Sequence, residues 1–95
     1  MPNWKIEIKP TAEKQYLRLD KTTRSRIKKA LINLEQSENP LFHPNVKPLV
    51  GELYGDYRYR VGGFRILFTP DKPNKIIYIY AILPRGDVYK KIITL

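Results

Sequence analysis

Cysteine is absent from this chain, so disulfides and thiolate metal sites are excluded, and the sequence suits a reducing compartment. There is a single histidine, His43, which rules out any mechanism needing two. The carboxylates Glu52, Asp56, Asp71 and Asp87 are scattered without ligand-like spacing, so neither a metal site nor a cofactor is expected. No glycine-rich loop opens a helix. No apolar run approaches a membrane span, and no signal-peptide core is present, so the expectation is a cytoplasmic protein without a membrane partner.

Acidic residues are also scarce. Eighteen Lys+Arg face nine Asp+Glu, for a net charge of +9 and a pI near 9.9. Residues 1–50 carry ten bases and five acids, and residues 51–95 carry eight and four, giving +5 and +4. No basic tail holds the excess, so the folded surface itself must be cationic and suited to a polyanion or an acidic protein. Ninety-five residues fit one domain, spanning 1–95, with a single two-layer core.

The most informative stretch is Asp56 to Thr69, DYRYRVGGFRILFT. Two alternating runs around Gly62-Gly63 predict a tight β-hairpin. A two-residue loop sets Val61 against Phe64, Tyr59 against Ile66 and Tyr57 against Phe68, all on one core-facing side. The other side pairs Arg60 with Arg65 and Arg58 with Leu67. Like charges directly opposed destabilise a sheet, so this opposition suggests that an anion belongs between them.

Upstream, Trp4 to Ile8 alternates as a strand ended by Pro10. Thr11 is a candidate N-cap for a short helix carrying Ala12, Tyr16 and Leu19 on one face. Asp20 is the next candidate cap, before a helix over 21–36 with Ile27, Ala30, Leu31 and Leu34 at helical spacing. Its Arg24, Arg26, Lys28 and Lys29 form a charge run of the kind that is ordinarily a solvated face. Three X-Pro steps make 37–48 irregular, and 49–53 is expected to be a short strand. Pro70 to Asn74 reads as a turn. Lys75 to Leu83, the most apolar segment, should be the central strand, covered on both faces. Pro84-Arg85-Gly86-Asp87 breaks it, before a terminal strand or helical turn. The expected fold is α+β in the order β-α-α-β-β-β, with two N-terminal helices packed on one face of a mainly antiparallel sheet of four to five strands.

Arginine, lysine and tyrosine are what remain for chemistry. Arg58, Arg60 and Arg65 share the exposed hairpin face. Arg85 follows the last core strand, and Tyr89 lies four residues on, where the chain could fold back over that face. Arginine's planar fork suits phosphate, and tyrosine offers a stacking surface and a titratable hydroxyl.

At these residues the sequence resembles the RelE/ParE superfamily of toxins from toxin–antitoxin modules. The likeness covers essentially the whole chain and is carried by LVGELYGDYRYRVGGFRILF and the closing ILPRGDVYK. The first segment is shared by the ribonuclease and gyrase-poisoning branches. The PRGDVY ending, with Arg85 and Tyr89, is similar to the RelE-like ribonucleases. That resemblance implies a RelE-like fold and the toxin of a type II module. Its activity would be ribosome-dependent, metal-independent cleavage of translated mRNA in the A site by 2′-hydroxyl attack. Implied partners are the ribosome, mRNA and a RelB-like acidic antitoxin, joined with the toxin in a hetero-oligomer. By motif position Arg65 would bind the scissile phosphate, Arg85 would stabilise the transition state or leaving group, and Tyr89 would orient the nucleotide or assist proton transfer. Arg58, Arg60, Lys47 and Lys90 would bind RNA phosphates. The ribonucleases often have lysine where Arg58 and Arg60 stand, and arginine stays protonated. Either Tyr89 acts as the base, or fixed cations act without an efficient one. The alternatives are a ParE-like inhibitor of DNA gyrase and a non-catalytic nucleic-acid-binding relative.

Overall fold

In the computed structural model, which describes residues 3–88, a mixed five-stranded sheet carries two helices on one face. The elements are β1 (Lys5–Ile8), α1 (Pro10–Leu17), α2 (Lys21–Gln36), β2 (Val46–Pro48), β3 (Tyr57–Val61), β4 (Phe64–Asp71) and β5 (Ile76–Pro84). The strand order is β1-β5-β4-β3-β2. β1 runs parallel to β5 and the other neighbours are antiparallel. The expected α+β architecture is present.

The hairpin forms in the predicted register, with Val61, Arg60, Tyr59, Arg58 and Tyr57 opposite Phe64, Arg65, Ile66, Leu67 and Phe68. Gly62 alone of the two turn glycines has positive φ, +58°. A II′ turn requires that of its first central residue only. Tyr59, Ile66 and Phe68 enter the main core with Ala12, Ile27, Leu31, Leu34, Ile77 and Ile79. The Tyr59 hydroxyl donates to the Ala30 carbonyl at 3.2 Å and so ties β3 to α2. Burial raises its pKa.

Several expectations need correction. Pro10 does not merely end β1. It occupies the first turn of α1, where its fixed φ is helical and its missing N–H costs nothing, and Lys9 rather than Thr11 is the N-cap. The short strand before the hairpin is Val46–Pro48, inside the proline-rich stretch, whereas Gly51–Leu53 is a 3₁₀ turn opened by Gly51 at φ +72°. As an edge strand, β2 tolerates a terminal proline. β4 continues through Pro70 to Asp71, past the predicted turn boundary, because β3 has already ended and only β5 remains beside it. β5 is interior, but β4 is the middle strand, and its Ile66, Leu67 and Phe68 are fully buried in succession.

β5 also carries a bulge that the alternation did not reveal. Leu67 pairs with Ala81 and Phe68 with Ile79, leaving Tyr80 as the extra residue. The extra residue resets the pleat. Ile82 returns to the helix-side core, while Ala81 packs on the opposite face in a second cluster with Leu49, Leu67 and Val88. At the bulge's far side the Ile82 N–H donates to Gln15 Oε1 of α1 at 2.7 Å, so a helix side chain completes the strand's bonding.

Candidate nucleic-acid interface

The face of the sheet away from the helices is divided in two. Toward its inner part lies the second cluster, covered by Leu49 and by Val88 from a helical turn over residues 85–88. Toward the outer strands lies a groove of about 350 Å³ lined by Pro44, Asn45, Lys47, Arg58, Arg60 and Arg65. Four of those six residues are cations and none is acidic.

Their convergence follows from register. Alternation puts Arg58 and Arg60 on one side of β3, and Arg65 faces Arg60 across the hairpin. β2 then sets Lys47 opposite Arg58, so a second pair of like charges adjoins the first. The Arg60 N–H turns outward and donates to the Asn45 carbonyl at 2.9 Å. The Arg60–Arg65 pair is therefore of the non-hydrogen-bonded kind, in which opposed side chains stand closest. The Arg65 Nη1 donates to the carbonyls of Gly62 at 3.0 Å and Phe64 at 2.9 Å, which holds its head against the turn. Four cations converging on one groove, with Arg65 held against the turn, give it the charge an anion needs, and the guanidinium fork favours phosphate.

Arg85 is exposed and does not line this groove. Its backbone N–H donates to the Gly63 carbonyl at 2.9 Å, which roots it beside the hairpin turn. Tyr89 and Lys90 lie outside the described residues. Thus Lys47, Arg58, Arg60 and Arg65 are brought together, and Arg85 is anchored at their edge.

Sequence reasoning missed Asn45, the residue linking the Pro-rich loop to the groove. Its N–H donates to His43 Nδ1 at 3.1 Å and its carbonyl receives Arg60. Only the position of β2 makes it recognisable. At the other end of the face, the Asp56 carboxylate accepts from the hydroxyls of Thr69 and Tyr80, both at 2.9 Å. Burial, the Asp56 hydrogen bond and its charge push the Tyr80 pKa well above the ordinary tyrosine value. Tyr80 is therefore a poor proton acceptor, and Asp56 joins three strands.

The family described as the ParE toxin of the type II toxin–antitoxin system, parDE, matches residues 6–89. No curated protein matches the sequence significantly. Among solved structures, the chain is similar to the archaeal RelE–RelB complex from Pyrococcus horikoshii, at 26% identity and TM-score 0.73, covering 88% of this chain and 97% of that one. It is similar to the isolated Escherichia coli RelE toxin at 21% identity and TM-score 0.68, covering 96% of each chain. The YoeB/ParE toxin from Agrobacterium tumefaciens aligns at 15% identity and TM-score 0.70, over 84% of this chain and 96% of that one.

Proposed function

The chain belongs to the family described as the ParE toxin of the type II toxin–antitoxin system, within the RelE/ParE superfamily, and we propose that it acts on the RelE side of that superfamily, as a ribosome-dependent endoribonuclease on translated mRNA. One observation carries the reading: Lys47, Arg58, Arg60 and Arg65 line a single groove. In the proposed reaction the ribose 2′-oxygen attacks the adjacent phosphorus and the 5′-oxygen leaves, giving a 2′,3′-cyclic phosphate. The 2′-hydroxyl gives up its proton and the departing 5′-oxygen acquires one. Negative charge develops on the phosphorane oxygens, where Arg65, Arg60 and Arg58 would stabilise it and Lys47 would hold a neighbouring phosphate. Removing one such preorganised group typically costs on the order of 10²–10³ in rate. Arginine cannot accept the proton. That task would fall to Tyr89, or the site would work by charge stabilisation alone, with Arg85 supporting the leaving group. An open groove positions a flexible strand poorly, which fits a need for the ribosome to present it.

A RelB-like acidic antitoxin is the partner this reading implies, since relatives are solved as RelE–RelB complexes. Covering the cationic face would both neutralise its charge and block the groove.

A second reading, inhibition of DNA gyrase by binding alone, is favoured by the ParE description of the matching family. Induction followed by primer extension separates the two. Discrete cuts within translated codons support the ribonuclease, whereas DNA breaks with an SOS response and intact messages support gyrase. For the ribonuclease, Arg65→Ala and Arg85→Ala should each relieve growth arrest while the circular dichroism spectrum is retained. Full toxicity of both single variants would refute the site.

A further inference from the structure

A second groove, of about 410 Å³, adjoins the first across the edge of the sheet. It is shaped by one face of α2, by the loop before β2 and by the hairpin, and its polar lining is Arg26, Lys29, Asn33, His43, Asn45 and Arg60. Asn45 and Arg60 line both grooves. Among the described residues lining the two there is no Asp or Glu, although the chain has nine. A polyanion leaving the reaction groove past Arg60 therefore meets further cations, Arg26 and Lys29.

The local geometry suits a sugar–phosphate backbone. Arg26, Lys29 and Asn33 stand at helical spacing on one side of α2, along roughly 10 Å of its axis. Arg26, Lys29 and Asn33 are exposed. His43 is held edge-on to Tyr59, ring centroids 5.2 Å apart, and its Nδ1 accepts the Asn45 N–H. A neutral ring in that arrangement carries its hydrogen on Nε2, which makes it a donor. The lining thus combines Arg26, Lys29, the Asn33 amide and an imidazole donor, with Asn45 and Arg60 as the shared members. Between these polar groups the floor is formed by Ala30, Tyr59, Val61 and Gly62, of which Tyr59 is almost wholly buried.

We propose that Arg26, Lys29 and His43, with Arg60 shared, form a flanking phosphate subsite that carries the substrate RNA strand from the reaction groove over the hairpin edge onto α2. This rests on the ribonuclease reading and extends it. The basic face of α2 is then a binding surface rather than a solvated one. Contacts here are to backbone phosphates, so affinity should rise with strand length and be indifferent to base sequence.

The test uses the full chain and fluorescent 2′-O-methyl oligoribonucleotides, which bind but cannot be cut, of about three and about ten nucleotides. The variant is Arg26→Ala/Lys29→Ala, which changes two exposed helical positions to the best helix former. Each phosphate contact to a single strand contributes about −0.7 to the slope of log K against log salt. Losing two should make the slope for the long strand shallower by about 1.4 and weaken its binding about 25-fold at 0.1 M salt. The short strand, filling only the first groove, should bind as before. Equal weakening of both strands, or an unchanged slope for the long one, overturns the proposal. So does unaltered RNA binding accompanied by weaker antitoxin binding, which would assign the α2 face to a protein partner. Since the probes are uncleavable, the two claims fail separately. A wild-type chain that cuts no message but shows the length-dependent loss upholds the track and refutes the enzyme. One that cuts messages while the variant's slope is unchanged does the reverse.

Discussion

Replacing Arg60 by threonine should make the fold more stable and the toxin much weaker. Arg60 faces Arg65 in a non-hydrogen-bonded pair and adjoins the opposed Lys47 and Arg58. A directly opposed like-charge pair costs a sheet about 0.2–1 kcal/mol, and a β-branched residue suits an exposed strand position. Arg60→Thr should therefore gain roughly 0.5–1 kcal/mol, a rise of about 2–8 °C in Tm for a domain of this size. Arg60→Lys keeps the charge opposition and loses only the planar fork, so its stability should stay within about 0.5 kcal/mol of wild type. Thermal melts at low ionic strength and in 1 M salt separate charge from shape. Screening at 1 M, where the Debye length is about 3 Å, should remove most of the gain. If the groove takes an anion as proposed, inorganic phosphate should stabilise wild type more than Arg60→Thr. Activity should fall in both variants. If Arg60→Thr melts no higher than Arg60→Lys at low salt, or if the gain survives 1 M salt, the like-charge argument is wrong.

Two further outcomes follow from the opposite end of the face. Val88, 3% exposed, docks the 85–88 turn onto Leu67 and Ala81. Deleting its two methyl groups in Val88→Ala should cost about 1.5–2.5 kcal/mol in urea unfolding, from lost burial plus a small void, and a loss below about 0.5 kcal/mol would mean that the turn is not docked. The raised pKa of Tyr80 means that the folded state keeps a proton that the unfolded chain releases near pH 10. Its contribution is complete below that pH and shrinks as pH rises. Stability should thus fall more steeply in alkali for wild type than for Tyr80→Phe, and parallel curves would show that the hydroxyl is not held by Asp56.

The hairpin was legible because a two-residue glycine loop leaves one register, and register decides which side chains face each other. That alone yields the Arg60–Arg65 opposition and the core placement of Tyr59, Ile66 and Phe68. The helices were legible from Ile27, Ala30, Leu31 and Leu34, whose spacing admits one buried side. β2 was not, because three residues containing a proline have no periodicity, and their strand character comes from pairing with β3. The bulge at Tyr80 was hidden for a related reason. In IIYIYAIL every residue is apolar or aromatic, so a shift of one position leaves no pattern violated, and only the opposing β4 register exposes it.

The bulge also explains how a sheet this small holds two unlike surfaces on one face. With unbroken alternation Ala81 would turn toward the helices, and Ile82 would come out beside Arg65. The extra residue sends Ile82 inward and leaves Ala81 and Leu83 to pack with Leu67, Leu49 and Val88. The charged groove is consequently bordered by a buried patch, and the 85–88 turn can dock without covering Arg60 or Lys47. Arg65 sits at that border, paired to Leu83 on one side and to Arg60 on the other. Lower dielectric beside it strengthens any phosphate contact that it makes relative to the exposed Lys47. The cation expected to outweigh the rest in the groove is therefore Arg65.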